Sequence, residues 1–320
     1  MTAPVRVPHR HVLTVPVSDE QLAEDVAAFL AEGLAAGERV VYLDDDTAGL
    51  VLSRLTDDGV DVSGPLRSGQ FRLVPGEVTR AALRGPLEEL TGLVAHHLTS
   101  ALDDGWAGLR VSGQTDHGLR RPGGQVLDEY DRRLDDAVRD QPLRVLCVYD
   151  HLRYPDELIA TMRARHPAEL TATPLHDDSL LRVTETGPAR IRLAGEIDHA
   201  NRPRVRRVLA GLIDQVVRGD VGEGTLTADL SALRFVDVAG AVSLVHAADE
   251  LPASVRLRLV NLRPGVARLL ERCGAGFAPQ LEMSIRERYA LRPAEALDLA
   301  AGAAQRADRS TPGADTAAAI

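Results

Sequence analysis

The 320-residue chain contains no lysine, so all 37 of its Lys/Arg positions are arginine. That absence removes a Walker A lysine, a Schiff-base lysine and a lysine general base from the available chemistry. Aromatic residues make up only 3%, and the formal charge is -10 at pH 7. Base stacking needs aromatics and a phosphate backbone needs positive charge, so nucleic acid is not expected as a partner. The two cysteines, Cys147 and Cys273, lie far apart in sequence, which suggests no disulfide framework and fits a cytoplasmic location. The opening MTAPVRVPHRHVL lacks the apolar stretch of a secretory signal, and no run of about 18 apolar residues occurs, so no membrane span is expected. What is present, 44% hydrophobic and 26% charged residues over this length, is enough for about two globular domains.

Strands and helices alternate through the first half. Residues 12–17 read as a strand and 18–36 as a helix, with Ser18 as N-cap, Gln21 three positions on and Gly37 as the stop. The apolar run 39–43 (RVVYL) predicts a buried strand, 47–57 a helix, 71–74 a strand, 86–103 a helix and 109–112 a strand. Next come a helix over 124–140, a strand over 144–149 and a helix over 155–165. This pattern predicts an α/β domain with a parallel sheet covered on both faces.

Ligands of open α/β sheets gather at the carboxyl ends of strands. Those ends carry Asp44 to Asp46, then Ser112, Gln114, Thr115, Asp116 and His117, then Cys147, Tyr149, Asp150 and His151. Each also has a plain structural reading: acidic residues after a strand cap the next helix, and Cys147 is a small core residue. His9 and His11 form an H-x-H pair and His96 adjoins His97. Consecutive helix positions diverge by about 100°, and neither pair has ligand spacing, so no metal and no cofactor is expected. Trp106 is expected to pack beneath its turn.

The early His11, the RVVYL strand followed by acids, GWAGLRVSGQ, LDEYDRRLDDAV and RVLCVYD together resemble the MEDS domain over about residues 8 to 166. That family is similar to RecA-like circadian-clock ATPases without their phosphate loop. The resemblance implies a RecA-like parallel α/β domain lacking a P-loop, and a sensory role toward a small hydrocarbon-like ligand. It points to His11, Glu129, Cys147, Tyr149 and Asp150 as ligand-binding positions.

Two prolines and small polar residues break the pattern before residue 179, giving a division into 1–166, a linker 167–178, a second domain 179–291 and an Ala-rich tail 292–320 expected to be disordered. Paired strands over 180–184 and 190–197 flank a Gly187-Pro188 turn, and 202–218 is an amphipathic helix with Val205, Val208, Leu209, Leu212, Ile213 and Val216 inward. Residues 225–229 predict a strand, 230–236 a crossing segment, and Asp237 the N-cap of a helix whose first turn holds Ala239, Gly240 and Ala241. An open helix start of this kind can meet a partner backbone or an anion. A strand over 255–260 and a helix from Pro264 to Gly274 complete a β-β-α-β-α-β-α order.

AGEID at 194–198, LTADLSALRFVDVAGAVSLV at 226–245 and LVNLRPGVARLLERCG at 259–274 resemble the STAS domain of bacterial anti-sigma-factor antagonists. In that family a serine in a D-S-S-G or D-T-S-G turn is phosphorylated by a cognate anti-sigma kinase. Here the turn reads Asp237-Val238-Ala239-Gly240, so Ala239 occupies the acceptor position. Ser231 and Ser243 are the neighbouring hydroxyls. The resemblance implies a partner surface of Asp198, Asp237, Val238, Ala239 and Gly240 for an anti-sigma factor or GHKL-type kinase; a helix cap and a strand-end turn are the structural readings of the two aspartates.

The expectation is a non-catalytic regulator in which ligand sensing by the first domain alters docking by the second. One alternative is an enzyme with a strand-end site built from Cys147, His117 or His151 and a carboxylate. The absence of a phosphate loop and of a nucleophile elbow weighs against it. The other alternative is a scaffold with no ligand.

Overall fold

A computed structural model describes residues 10–44, 46–114, 125–170, 174–219, 224–286 and 295–299. The contacts divide the chain into two compact units, one drawing on Val5–Val15 and Asp25–Leu170, the other on Pro16–Glu24 and Thr171–Tyr289. Most of the tail, including residues 300–320, and Asp45, Thr115, Asp116, His117 and His9 lie outside the described residues.

The first unit is built on five parallel strands: β1 (His11–Thr14), β2 (Arg39–Leu43), β3 (Phe71–Val74), β4 (Leu109–Gln114) and β5 (Leu143–Val148), ordered β1-β5-β4-β2-β3. β1, β2 and β4 are buried at every position, as strands of a parallel sheet covered on both faces should be, and the burial takes in their polar residues His11, Arg39 and Arg110. Helix α1 (Asp19–Ala35) has the expected cap, with the Gln21 N–H donating to Ser18 Oγ at 3.1 Å and the Val17 N–H donating to the Gln21 side chain at 3.2 Å. Gly37 follows at φ +73°. α2 (Ala48–Asp57) precedes two short helices that the periodicity does not reveal, α3 (Ser63–Ser68) and α4 (Gly76–Arg84); then come α5 (Leu87–Asp103), α6 (Gln125–Asp140) and α7 (Asp156–Arg165).

Packing around β1 encloses it from two sides. α6 packs against the adjacent strands β1 and β5, and Ile159 and Met162 of α7 join the same apolar cluster as Leu13, Val145 and Cys147. Residues 168–170, read from the sequence as linker, run beside the free edge of β1: the Leu13 N–H donates to the Ala168 carbonyl at 3.1 Å and the Leu170 N–H to the Leu13 carbonyl at 2.8 Å. An edge strand offers unpaired backbone groups, and this segment satisfies them.

The second unit holds a mixed sheet with strands β6 (His176–Asp177), β7 (Leu181–Gly187), β8 (Arg190–Ile197), β9 (Thr225–Asp229), β10 (Leu233–Val236), β11 (Arg256–Leu262) and β12 (Leu281–Ile285). Their order is β12-β11-β9-β8-β7-β6, with β10 also on β8. β7 and β8 form the antiparallel hairpin, whereas β8, β9, β11 and β12 run parallel. Helices α8 (Arg202–Val217), α9 (Val238–Asp249) and α10 (Pro264–Arg272) pack on it. On α8, Val205, Leu209, Leu212 and Val216 are buried while Val208 and Ile213 are partly buried, the stripe their spacing predicts.

The crossing segment 230–236 needs correction, because Leu233–Val236 is a strand. β9 pairs with Arg190–Arg192 of β8, and β10 takes up the same strand further on, with Leu233 opposite Gly195 and Val236 opposite Ile197. Gly195 is required there: at φ +105° a side chain is strained, and a Cβ would collide with the Leu180 carbonyl oxygen. β6, β10 and β12 are therefore additions to the β-β-α-β-α-β-α order, each too short or too exposed for periodicity to mark.

Candidate functional site

A polar cluster lies inside the apolar layer between β1 and β5 and their covering helices. His11 begins β1. Cys147 is on β5, and Tyr149 follows its end, two residues on and so on the same face. Asp131 and Asp135 are one turn apart on α6, and His166 follows the last residue of α7. His11, Asp131, Cys147, Tyr149 and His166 are all buried.

The hydrogen bonds fix the order of these groups. His11 Nδ1 donates to Asp135 Oδ1 at 2.7 Å, which leaves Nε2 as the lone pair facing Cys147 Sγ at 3.3 Å. Cys147 Sγ lies 4.0 Å from Asp131 Oδ1, and the Tyr149 hydroxyl donates to both Asp131 oxygens at 3.3 Å. His166 Nδ1 donates to the Met162 carbonyl at 2.8 Å, and its buried Nε2 has no hydrogen-bond partner. The two imidazole centroids are 4.4 Å apart. The nitrogen, sulfur and carboxylate atoms of His11, Asp131, Cys147 and His166 all lie within 4.8 Å of one another.

Burial sets the electrostatics. It pushes the Cys147 thiol well above its ordinary value, with Asp131 and Asp135 adding to the rise, and it raises Tyr149 in the same way. His11 is lowered, again by burial, against the opposing pull of Asp135. His166 falls to about 4 through burial and the neighbouring His11. The resting site therefore holds a protonated thiol and neutral imidazoles, which is not an activated nucleophile.

Asp135 is the one member in contact with the surface. It lines a groove between α6 and α7 of about 740 Å³, together with Arg132, Ala160, Thr161, Ala164 and Arg165.

Of the ligand-binding positions suggested by sequence, the structure brings together His11, Cys147 and Tyr149. Glu129 is elsewhere, paired with Arg132 and with Arg133, the latter at 3.0 Å. Asp150 closes the turn after β5, accepting from the Leu152 N–H at 2.9 Å and pairing with Arg153 at 3.1 Å. Of the strand-end residues that are described, Cys147 and Tyr149 join the buried cluster on the sheet face, whereas Asp150 closes a turn. Asp44 caps α2, accepting from the Thr47 and Ala48 N–H groups at 3.0 and 2.8 Å. Sequence reading missed Asp131, Asp135 and His166. The two aspartates, at i and i+4 on an amphipathic helix, offered a signal; His166, placed at the start of a loop, offered none.

In the second unit, Asp237 caps α9 by accepting from the Gly240 N–H, and lies 3.6 Å from Arg202. Asp198 accepts from the Ala200 N–H at 2.8 Å ahead of α8. Val238 is 62% and Val242 46% exposed, one helical turn apart, and Phe235 just before the cap is 49% exposed. Ala239 is exposed and Gly240 buried. Ser231 is 1% exposed, and Ser243 Oγ donates to the Ala239 carbonyl at 2.8 Å.

Residues 10–167 match the MEDS family, the methanogen/methylotroph, DcmR sensory domain, and residues 181–288 match the STAS domain. No curated protein matches the chain. Among solved structures it is similar to an uncharacterized protein from Pyrococcus horikoshii crystallised in complex with an unknown peptide, at 12% identity and a TM-score of 0.39, over 55% of this chain and 82% of that one. No helix among the described residues is long and apolar enough to cross a membrane.

Proposed function

From a chain that carries a MEDS domain followed by a STAS domain, we propose a non-catalytic cytoplasmic regulator of transcription, in which ligand sensing by the first domain governs docking of the second onto an anti-sigma factor of the GHKL-kinase type. The observation that carries this reading is the surface at the start of α9. Val238 and Val242 form an exposed apolar stripe beside a capped helix end, which suits docking more than solvation. In the family this turn carries the phosphorylated serine; here it carries Ala239. Ser231 is buried beyond a kinase's reach, and the Ser243 hydroxyl is held against its own helix. Release of the partner then falls to the sensory domain.

The groove between α6 and α7 supports the sensory half. Its two alanines and a threonine offer a small apolar wall, and Arg132 and Arg165 offer charge, which suits a short hydrocarbon derivative bearing an oxygenated or anionic group. Asp135 joins that groove to His11.

The deciding experiment is a pull-down from the native extract with the full chain and with Val238→Glu. The wild type is expected to retain an anti-sigma kinase and gain no phosphate from it with ATP, and the variant to lose the kinase while keeping its fold. Stoichiometric labelling abolished by Ser231→Ala or Ser243→Ala, or equal capture by both chains, would overturn the reading.

A further inference from the structure

The cluster of His11, Asp131, Cys147 and His166 raises the question of why one thiol, one carboxylate and two imidazoles share an apolar layer. Burying such groups costs free energy unless each is satisfied, and His166 Nε2 is not. We propose that these four side chains form a binding site for a zinc-class divalent metal ion.

Three observations carry the assignment. The donors come from four separate places in the fold, β1, α6, β5 and the end of α7, yet their ligand atoms lie within 4.8 Å of one another. A tetrahedral ion with bonds of about 2.0 to 2.3 Å sets its ligands about 3.4 Å apart, so the widest pair needs to close by at most about 1.4 Å, while His11 Nε2 and Cys147 Sγ already stand at 3.3 Å. Both imidazoles are held in the tautomer a metal requires: His11 Nδ1 donates to Asp135 and His166 Nδ1 to the Met162 carbonyl, leaving each Nε2 lone pair free to coordinate. Asp131 is itself oriented by the Tyr149 hydroxyl. A carboxylate or a carbonyl behind each histidine, and a phenol behind the carboxylate, is the outer shell of a metal site.

The charges also balance. On binding, the Cys147 S–H bond gives its proton to solvent and a metal–sulfur bond forms. A divalent ion, one thiolate, one carboxylate and two neutral imidazoles sum to zero, which suits a buried site. Nitrogen and sulfur donors favour zinc, cobalt or iron over magnesium or calcium. The metal site depends on these residues alone and stands apart from the regulatory proposal.

The test uses the full chain carrying Cys273→Ser, stripped of metal with a chelator and titrated with Co²⁺. Cys147 is then the sole thiol. The expected result is one equivalent bound, with thiolate-to-cobalt charge transfer in the near ultraviolet and intense tetrahedral bands in the visible, both removed by Zn²⁺. Asp135→Asn, a change at the groove wall, should weaken binding by about 10- to 100-fold. Absence of charge transfer, weak octahedral bands only, or an affinity unmoved by Asp135→Asn would overturn the site. Cys147→Ser should abolish charge transfer if it folds; if it does not, the single-thiol chain decides alone.

Discussion

Arginine performs buried work in this protein that lysine could not. Arg110 is 2% exposed on β4 and reaches Glu38 at 2.6 Å, Glu32 at 2.9 Å and the Phe29 carbonyl at 2.9 Å, with its guanidinium 4.8 Å from the Phe29 ring. A planar fork can serve all four contacts, and an ammonium cannot. Arg110→Ala should therefore destabilise the first unit by about 3 kcal/mol, because Glu32 and Glu38 both lose a buried partner, Glu38 keeping Arg144 at 3.2 Å, and Arg110→Lys should recover only part of that. Urea unfolding followed by Trp106, the only tryptophan, measures both. His97 supplies a pH dependence. Burial, then the charges of His96, Arg72 and Arg39, lower it to about 4, so it stays neutral in the folded chain. Below its unfolded value of 6.5 the unfolded state binds the extra proton, so this contribution to stability is complete above about pH 6.5 and is lost as pH falls toward 4. The slope is at most about 1.4 kcal/mol per pH unit. His97→Gln should flatten the difference in urea midpoint between about pH 7 and pH 5; an unchanged slope would refute the assignment.

At the scale of elements, α9 separates stability from recognition. Asp237 satisfies the first turn, so Asp237→Ala should cost about 1 kcal/mol and lower the thermal midpoint. Val238 is exposed, so Val238→Glu should leave that midpoint unchanged while removing partner binding. The cap was legible in the sequence because Asp followed by small residues satisfies a local rule. The core strands β2, β4, β5 and β11, and the stripe on α8, were legible for the same reason: their apolar period is set within a few residues. β10 was not, since Leu233 and Val236 are buried while Arg234 and Phe235 are exposed, and four residues of that pattern suit a strand or a turn equally. Its identity as a strand comes from β8, which lies far off in sequence. α3 was missed because six residues give too little period to read, and α4 because its nine residues lack the first-turn proline that marks the start of the equally short α10.

The whole molecule is where the site becomes visible. His11 and His166 stand at opposite ends of the first unit's sequence, and only the placement of β1 beside β5, with α7 returning over them, brings their rings to 4.4 Å. The H-x-H spacing directed attention to His9 as a neighbour, whereas the partners of His11, Asp135 and Cys147, lie 124 and 136 residues away. Spacing reveals ligands carried on one element and is blind to ligands assembled by topology. The same burial has a consequence for measurement. The two compact units each contain one thiol, Cys147 in the first at 3% exposure and Cys273 in the second, partly exposed. A thiol reagent should modify Cys273 promptly and reach Cys147 only when the layer around it opens. Cys147 should therefore react at least about a thousandfold more slowly, equivalent to an opening free energy of about 4 kcal/mol. Comparable rates would show that the layer does not hold. The chain thus carries one exchange clock, Cys147, set by the opening of the first unit, and beside it an ungated reference, Cys273; a ligand that tightens the first unit should slow the clock and leave the reference unchanged.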